Sequence, residues 1–241
     1  MLAMLSVELR KLNRSLAAVL ALAAPSLIAV FAFFLLLRGG SGRPWTQWME
    51  ASAGIWAYFM LPMSVTALTA MVAHMEHGPR AWDHLRALPV PRWRIYAAKA
   101  ICIIAIVVIM TLLNLLLTLV AVRAAGMVKP VVAPTGAPDL AKFLVLNGKI
   151  VVAATLLVAI QLWTALRFSS FVPALALGIG GTFFSVVATS AKEGVFFPWQ
   201  MPVNMLAKEA WRVETALALG GGLGAVALAL AILHLARREV L

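Results

Sequence analysis

The sequence predicts an all-α integral membrane protein, and three observations carry that reading. Of the 241 residues, 63% are hydrophobic and only 12% are charged, a composition far from that of ordinary soluble domains. The apolar residues gather into six runs, near 16–37, 53–75, 100–122, 144–166, 172–190 and 213–236, each close to the roughly 20 residues a helix needs to cross about 30 Å of hydrocarbon. Within the runs hydrophobicity is continuous instead of alternating, which argues against a β-barrel. Six spans use up more than half of the chain and leave connecting segments too short for a soluble domain, so residues 1–241 read as one transmembrane domain.

At the N-terminus, residues 2–16 place Leu5, Leu9, Leu12 and Leu16 at helical spacing, with Glu8, Arg10, Lys11 and Arg14 off that face. The pattern suits an amphipathic helix in the membrane interface; the alternative is a helical extension of the first span with a basic anchor. The first apolar run is too long for a signal-peptide core and has no small-residue cleavage site before Arg38, so it is expected to remain as a span. Pro25 falls inside it and suggests a kink that neighbouring helices accommodate. The loop 38–50 is glycine-rich, but no Lys-Ser or Lys-Thr pair follows, as a phosphate-cradling loop requires. No other segment matches such a loop, so any nucleotide hydrolysis that drives this chain is expected on another polypeptide.

The second and third runs are joined by EHGPRAWDHLRALPVPRWRIYAAK, residues 76–99, the one long charged interval in the chain. Gly78 breaks the second span, Pro79 suits a first helical position, and Pro89 with Pro91 enforces a stop. About two and a half turns fit between them. Within those turns Ala81, Trp82, Leu85 and Leu88 fall on one side, and Arg80, Asp83, His84 and Arg86 spread over the remainder. Such a ridge can insert in a groove on a partner, with Trp82 as anchor. Alternatively it lies flat on the bilayer, with Trp82, Trp93 and Tyr96 as interfacial aromatics.

The net charge of +11 does not point to nucleic acid, because the basic residues are scattered over loops and form no stripe with interleaved aromatics. Membrane topology explains them better. The N-terminal tail and the loop after the second span carry eight basic residues, against two in the loop after the first, which predicts both termini on the cytoplasmic side. Cys102, the single cysteine, lies inside the third span and excludes an internal disulfide. His74, Glu76, His77 and His84 lack the histidine spacing of a helical zinc site, so no metal is expected. No serine, histidine and acid set and no paired intramembrane aspartates can be assembled, so no catalytic residues are expected either.

Three polar side chains inside spans are candidates for a translocation path: Asn114, Lys149 and Gln161. The amides equally suit bridging between helices, and Lys149, in the fourth run, is placed to snorkel to the interface. Glycines at 178, 180 and 181, and at 220, 221, 222 and 224, permit close helix contact. The segment 192–212, KEGVFFPWQMPVNMLAKEAWR, is too apolar for a solvated loop and too broken for a span, which places it at the outer membrane face.

The interval 76–99 resembles the first cytoplasmic loop of permease subunits of type-2 ATP-binding-cassette (ABC) exporters, and is most similar to the lantibiotic-immunity branch. A glutamate ending the second span, a tryptophan several residues later, and a leucine-proline, an aromatic and a lysine leading into the third correspond here to Glu76, Trp82, Leu88, Pro89, Tyr96 and Lys99. The resemblance implies six spans in a bacterial cytoplasmic (inner) membrane. It implies an elbow helix carrying Leu5, Leu9, Leu12 and Leu16, and a coupling helix that seats in a separate ATPase subunit through Glu76, Arg80, Trp82, Asp83, Leu85, Arg86, Leu88 and Pro89. It also implies a second permease subunit, identical or related, and short re-entrant or interfacial helices in 192–212. ATP and Mg would then be bound by the partner and no cofactor by this chain. The expected activity is export of an amphipathic or hydrophobic substrate, with a slight lean towards peptide antibiotics. An ion-coupled carrier acting alone should show inverted repeats and a central intramembrane acid, and neither is found; a non-transporting membrane scaffold is the other alternative.

Overall fold

The computed structural model describes residues 1–13, 15–77 and 89–237. Among them no strand forms, and the chain is built from helices α1 (Leu2–Asn13), α2 (Leu16–Arg38), α3 (Trp45–His77), α4 (Arg92–Val128), α5 (Leu140–Arg167), α6 (Val172–Ala188) and α7 (Ala210–Arg237). Five of these, α2, α3, α4, α5 and α7, are long and apolar enough to cross a membrane, and α6 is a shorter apolar helix of 17 residues. The protein is a multi-pass helical membrane protein.

Ser15 sets the junction between the first two helices. Its hydroxyl donates to the Leu12 carbonyl at 2.7 Å and accepts from the Ala17 N–H at 3.1 Å, so one side chain caps the start of α2 against the end of α1. Leu16 therefore opens α2 and is not part of the α1 face on which the heptad-like spacing placed it. That face is split: Leu5 and Leu12 pack on the core, whereas Leu9 and Leu16 are exposed. The helix turns Glu8, not its full row of leucines, towards the bundle. α2 runs through Pro25 as a single helical element.

α3 begins eight residues before the apolar run at 53, because the mixed segment Trp45–Ile55 is helical and buries Trp45, Met49, Ser52 and Ala53. A π-helical turn at Trp56–Met60 interrupts it, and the buried Trp56 donates from Nε1 to Thr111 Oγ1 at 3.1 Å across to α4. α4 has 37 residues, about 55 Å at 1.5 Å per residue, longer than the roughly 30 Å of hydrocarbon it would cross. α5 is capped by Asp139, whose carboxylate accepts the Lys142 N–H. It breaks at Ala154, where one N–H is shared between the Ile150 and Val151 carbonyls.

α2 lies along α4, α5 along α7, and α3 against α5 and α6. α7 carries a second π-helical turn, Ala218–Leu223, which seats against the break in α5. A Cβ on Gly220 would overlap the Ala153 carbonyl, and one on Gly224 would come within 2.5 Å of the Leu156 nitrogen. These glycines serve packing inside the chain. The segment between α6 and α7 forms two 3₁₀ turns, Lys192–Phe196 and Val203–Leu206. Between them Trp199 is buried, stacks on Phe197 at 5.2 Å and fills the space left by Gly181.

At the end of the bundle where α2 ends and α3 begins, Lys129 donates to the Leu37 and Gly39 carbonyls at 3.1 and 2.8 Å. A local cluster of Leu36, Trp45, Met49, Val122, Val132 and Phe143 closes that end. α2 and α7 turn large apolar side chains outward, among them Leu22, Phe31, Phe34, Val226 and Leu230, as helices bordering lipid must.

Candidate functional site

The stems of the 76–99 interval meet over a ring of four charges. Glu76 closes α3, Lys99 stands two turns into α4, and Glu8 and Lys11 are one turn apart on α1. Lys99 Nζ donates to Glu76 Oε1 at 2.6 Å and to Glu8 Oε2 at 2.9 Å. Lys11 Nζ donates to Glu76 Oε1 at 2.9 Å and to Glu8 Oε1 at 3.3 Å. Around the ring the order is Glu8, Lys99, Glu76, Lys11, so every ion touches two of opposite sign and the set is neutral.

Neutrality is what permits the burial. Lys99 and Glu76 are each 1% exposed and Glu8 7%, and a lone ion there would carry a desolvation cost of several kcal/mol. Lys11 is the solvent-facing member: partial burial pulls its ammonium down, but the hydrogen bond to Glu76 and the fields of both carboxylates outweigh this and hold it above the ordinary lysine value. The ring fixes both stems of the interval, one on α3 and one on α4, to the same face of α1.

Of the residues expected to form the coupling helix, Arg80, Trp82, Asp83, Leu85, Arg86 and Leu88 lie outside the described residues, as does His84. Glu76 belongs to the ring, and Pro89 is exposed just before α4. Trp93 is 46% exposed at the start of α4, and Tyr96, one turn on, is buried.

The three candidates for a translocation path are not brought together. Asn114 is buried between α3 and α4 and donates from Nδ2 to Ser52 Oγ at 3.1 Å, and Ser52 in turn shares a 2.7 Å hydrogen bond with Thr118. Gln161 is buried between α5 and α6, where its amide, with oxygen and nitrogen assigned to match their neighbours, donates to the Ala174 carbonyl at 3.2 Å and accepts the Gly178 N–H at 3.0 Å. Both amides bridge helices. Lys149 is exposed and lines an open groove of about 840 Å³ at the end of the bundle opposite the charge ring. It stands nine residues into α5, which begins four residues before the apolar run at 144.

Comparison with protein families matches residues 4–185, most of the chain, to the ABC-2 family transporter protein. The chain belongs to the ABC-2 transporter family. It is the membrane component, a class that is generally not catalytic itself and normally works with an ATPase subunit. Comparison with curated proteins and with solved structures gave no match.

The matched region of this ABC-2 protein runs from α1 into α6 and contains the whole charge ring. Sequence reasoning placed Glu8 and Lys11 on a polar outer face and left Lys99 as a lead-in to the third span. One signal was present: Glu8 on the first helix, Glu76 at the tip of a span and Lys99 at the entry to the next are charges that adjoin apolar residues, and such charges need partners when buried.

Proposed function

We propose that this ABC-2 protein is the permease of an exporter whose energy comes from ATP hydrolysis on a separate subunit, with residues 78–88 as the coupling helix and α1 as the elbow. The observation that carries this is the ring: α1 and both stems of the interval are joined by four buried or half-buried ion contacts. A segment that is pushed by a partner needs stems that move as one body. Two further features support the reading, namely the apolar ridge of Trp82, Leu85 and Leu88 with Arg80, Asp83 and Arg86 on its rim, and the family membership.

In this reading α6 completes six spans, both termini face the cytoplasm of a bacterial inner membrane, and two permease subunits, identical or related, pair to form the path. ATP and Mg belong to the ATPase. The substrate is amphipathic or hydrophobic, which the apolar spans suit, and a peptide antibiotic is the finer proposal from the likeness to the lantibiotic-immunity branch. ATP-driven closure of the ATPase displaces the loop, and the ring passes that displacement to α1, α3 and α4 together.

The test is purification of the full chain from its native membrane in mild detergent. A nucleotide-binding protein is expected in stoichiometric amount, and the Trp82→Ala variant is expected to insert normally and lose it. Recovery of the wild-type chain alone across several detergents, or full retention of the ATPase and of transport by Trp82→Ala, overturns the proposal.

A further inference from the structure

The open groove at the end of the bundle opposite the charge ring is lined by three lysines and two carboxylates, from α3, α5 and the turn before α7. Both carboxylates are already engaged by one residue: Glu50 accepts from Lys142 Nζ at 3.0 Å, and Asp139 accepts from the Lys142 backbone N–H at 3.0 Å. Lys149 and Lys208 have no carboxylate within ion-pair distance among the described residues. Beside them Val145, Leu146, Met205 and Leu206 form an apolar wall. The charge also runs inward, since Lys149 lies seven residues beyond Lys142 on the same helix, about 10 Å along its axis.

Two ammoniums that line one groove without a carboxylate partner are matched by a ligand with several anionic oxygens. The wall calls for a hydrocarbon chain attached to it. The volume, about 840 Å³, is within the roughly 300–1,000 Å³ usual for ligand sites. We infer that the groove binds an anionic amphiphile bearing a phosphate headgroup, with Lys149 and Lys208 on the phosphate and its acyl chain against Val145, Leu146, Met205 and Leu206. The assignment rests on the groove and not on ATP coupling, so the two readings fail separately.

The experiment uses the full-length chain in zwitterionic nanodiscs, with dioleoyl phosphatidylglycerol titrated against dioleoyl phosphatidylcholine and retained lipid read by native mass spectrometry. Preferential retention of the anionic lipid is expected, falling roughly fivefold for Lys149→Gln or Lys208→Gln and about thirtyfold for the pair. Lys149→Arg is expected to keep the preference, which separates lost charge from misfolding. Lys192→Gln removes equal charge outside the groove, where Lys192 lies over the Trp211 ring at 5.9 Å, and is expected to leave retention unchanged. No preference for the anionic lipid, or an equal loss in Lys192→Gln, overturns the inference. Displacement of the lipid by an equal concentration of inorganic phosphate overturns the amphiphile assignment in favour of a free-phosphate site.

Discussion

Removing Lys99 should destabilise the protein far more than removing it together with Glu76. Lys99→Met deletes two of the four contacts in the ring and leaves Glu8 and Glu76 sharing Lys11, an excess of one buried negative charge. Breaking a buried ion pair from one side costs about 3–5 kcal/mol, or roughly 10 °C in the melting midpoint of a chain of this size. Adding Glu76→Gln restores neutrality, because Glu8 and Lys11 remain as a pair at 3.3 Å, so the double variant should melt above Lys99→Met alone. Exchanging the two charges, E76K with K99E, makes the sharper test. For an isolated pair the exchange would restore the bond. In the alternating ring the introduced lysine sits beside Lys11 and the introduced glutamate beside Glu8. Each like-charged contact at these spacings opposes folding by up to about 6 kcal/mol at an effective dielectric of about 20, before the side chains pull apart. The exchange should therefore be no better than Lys99→Met, and only reversal of all four charges should recover stability. Thermal unfolding in one detergent, followed by tryptophan fluorescence, reads all of these variants. Wild-type stability in the E76K/K99E protein, or strict additivity of Lys99→Met and Glu76→Gln, would refute the ring.

Two predictions concern the spans. Gly220→Ala and Gly224→Ala each add a methyl where α7 touches the α5 backbone, so each should destabilise by about 1–3 kcal/mol, measured by the same melts, whereas Gly222→Ala, with open space around it, should be near neutral. Asn114→Ala removes one interhelical hydrogen bond while Ser52 and Thr118 keep theirs. It should cost about 1 kcal/mol and leave transport intact, and a selective loss of transport at unchanged melting temperature would return Asn114 to the translocation path.

Composition and run length were enough to find each long helix, because burial in lipid demands unbroken hydrophobicity. The helix ends were less legible for the same reason. The apolar run at 100–122 sits inside a helix of 37 residues, Arg92–Val128, since helical hydrogen bonding continues into the interface after hydropathy stops reporting it. Trp45–Ile55 was missed as the start of α3 because Thr46, Gln47 and Glu50 dilute the run, although Trp45 and Met49 are buried. The break at Ala154 and the π-helical turn at Ala218–Leu223 have no proline to announce them, unlike the turn at Trp56–Met60, which Pro62 follows. These two follow from how α5 and α7 meet, a contact between residues 67 and 68 positions apart in sequence, Ala153 with Gly220 and Leu156 with Gly224. For the site, Glu76 was singled out from the 76–99 interval alone. Its partners lie on α1 and α4, and a local pattern cannot identify contacts made by folding.

Under the proposed function, the ring makes α1 part of the coupling site and not merely an anchor. Without Glu8 and Lys11, Glu76 and Lys99 would still pair at 2.6 Å, and the stems of the 78–88 segment would still be joined to each other. What α1 adds is a third body, continuous with α2 through the Ser15 junction, and α2 in turn lies along α4. A force applied at residues 78–88 thus reaches α2 by two routes, across the ring through α1 and along the α2–α4 contact. Variants that remove α1 from the ring while keeping it neutral, Glu8→Gln with Lys11→Gln, leave the Glu76–Lys99 pair intact. Under the proposed function they should retain the ATPase and lose part of its coupling to transport, with nucleotide turnover continuing and substrate movement falling. Equal loss of both activities, or of neither, would mean that α1 only steadies the fold.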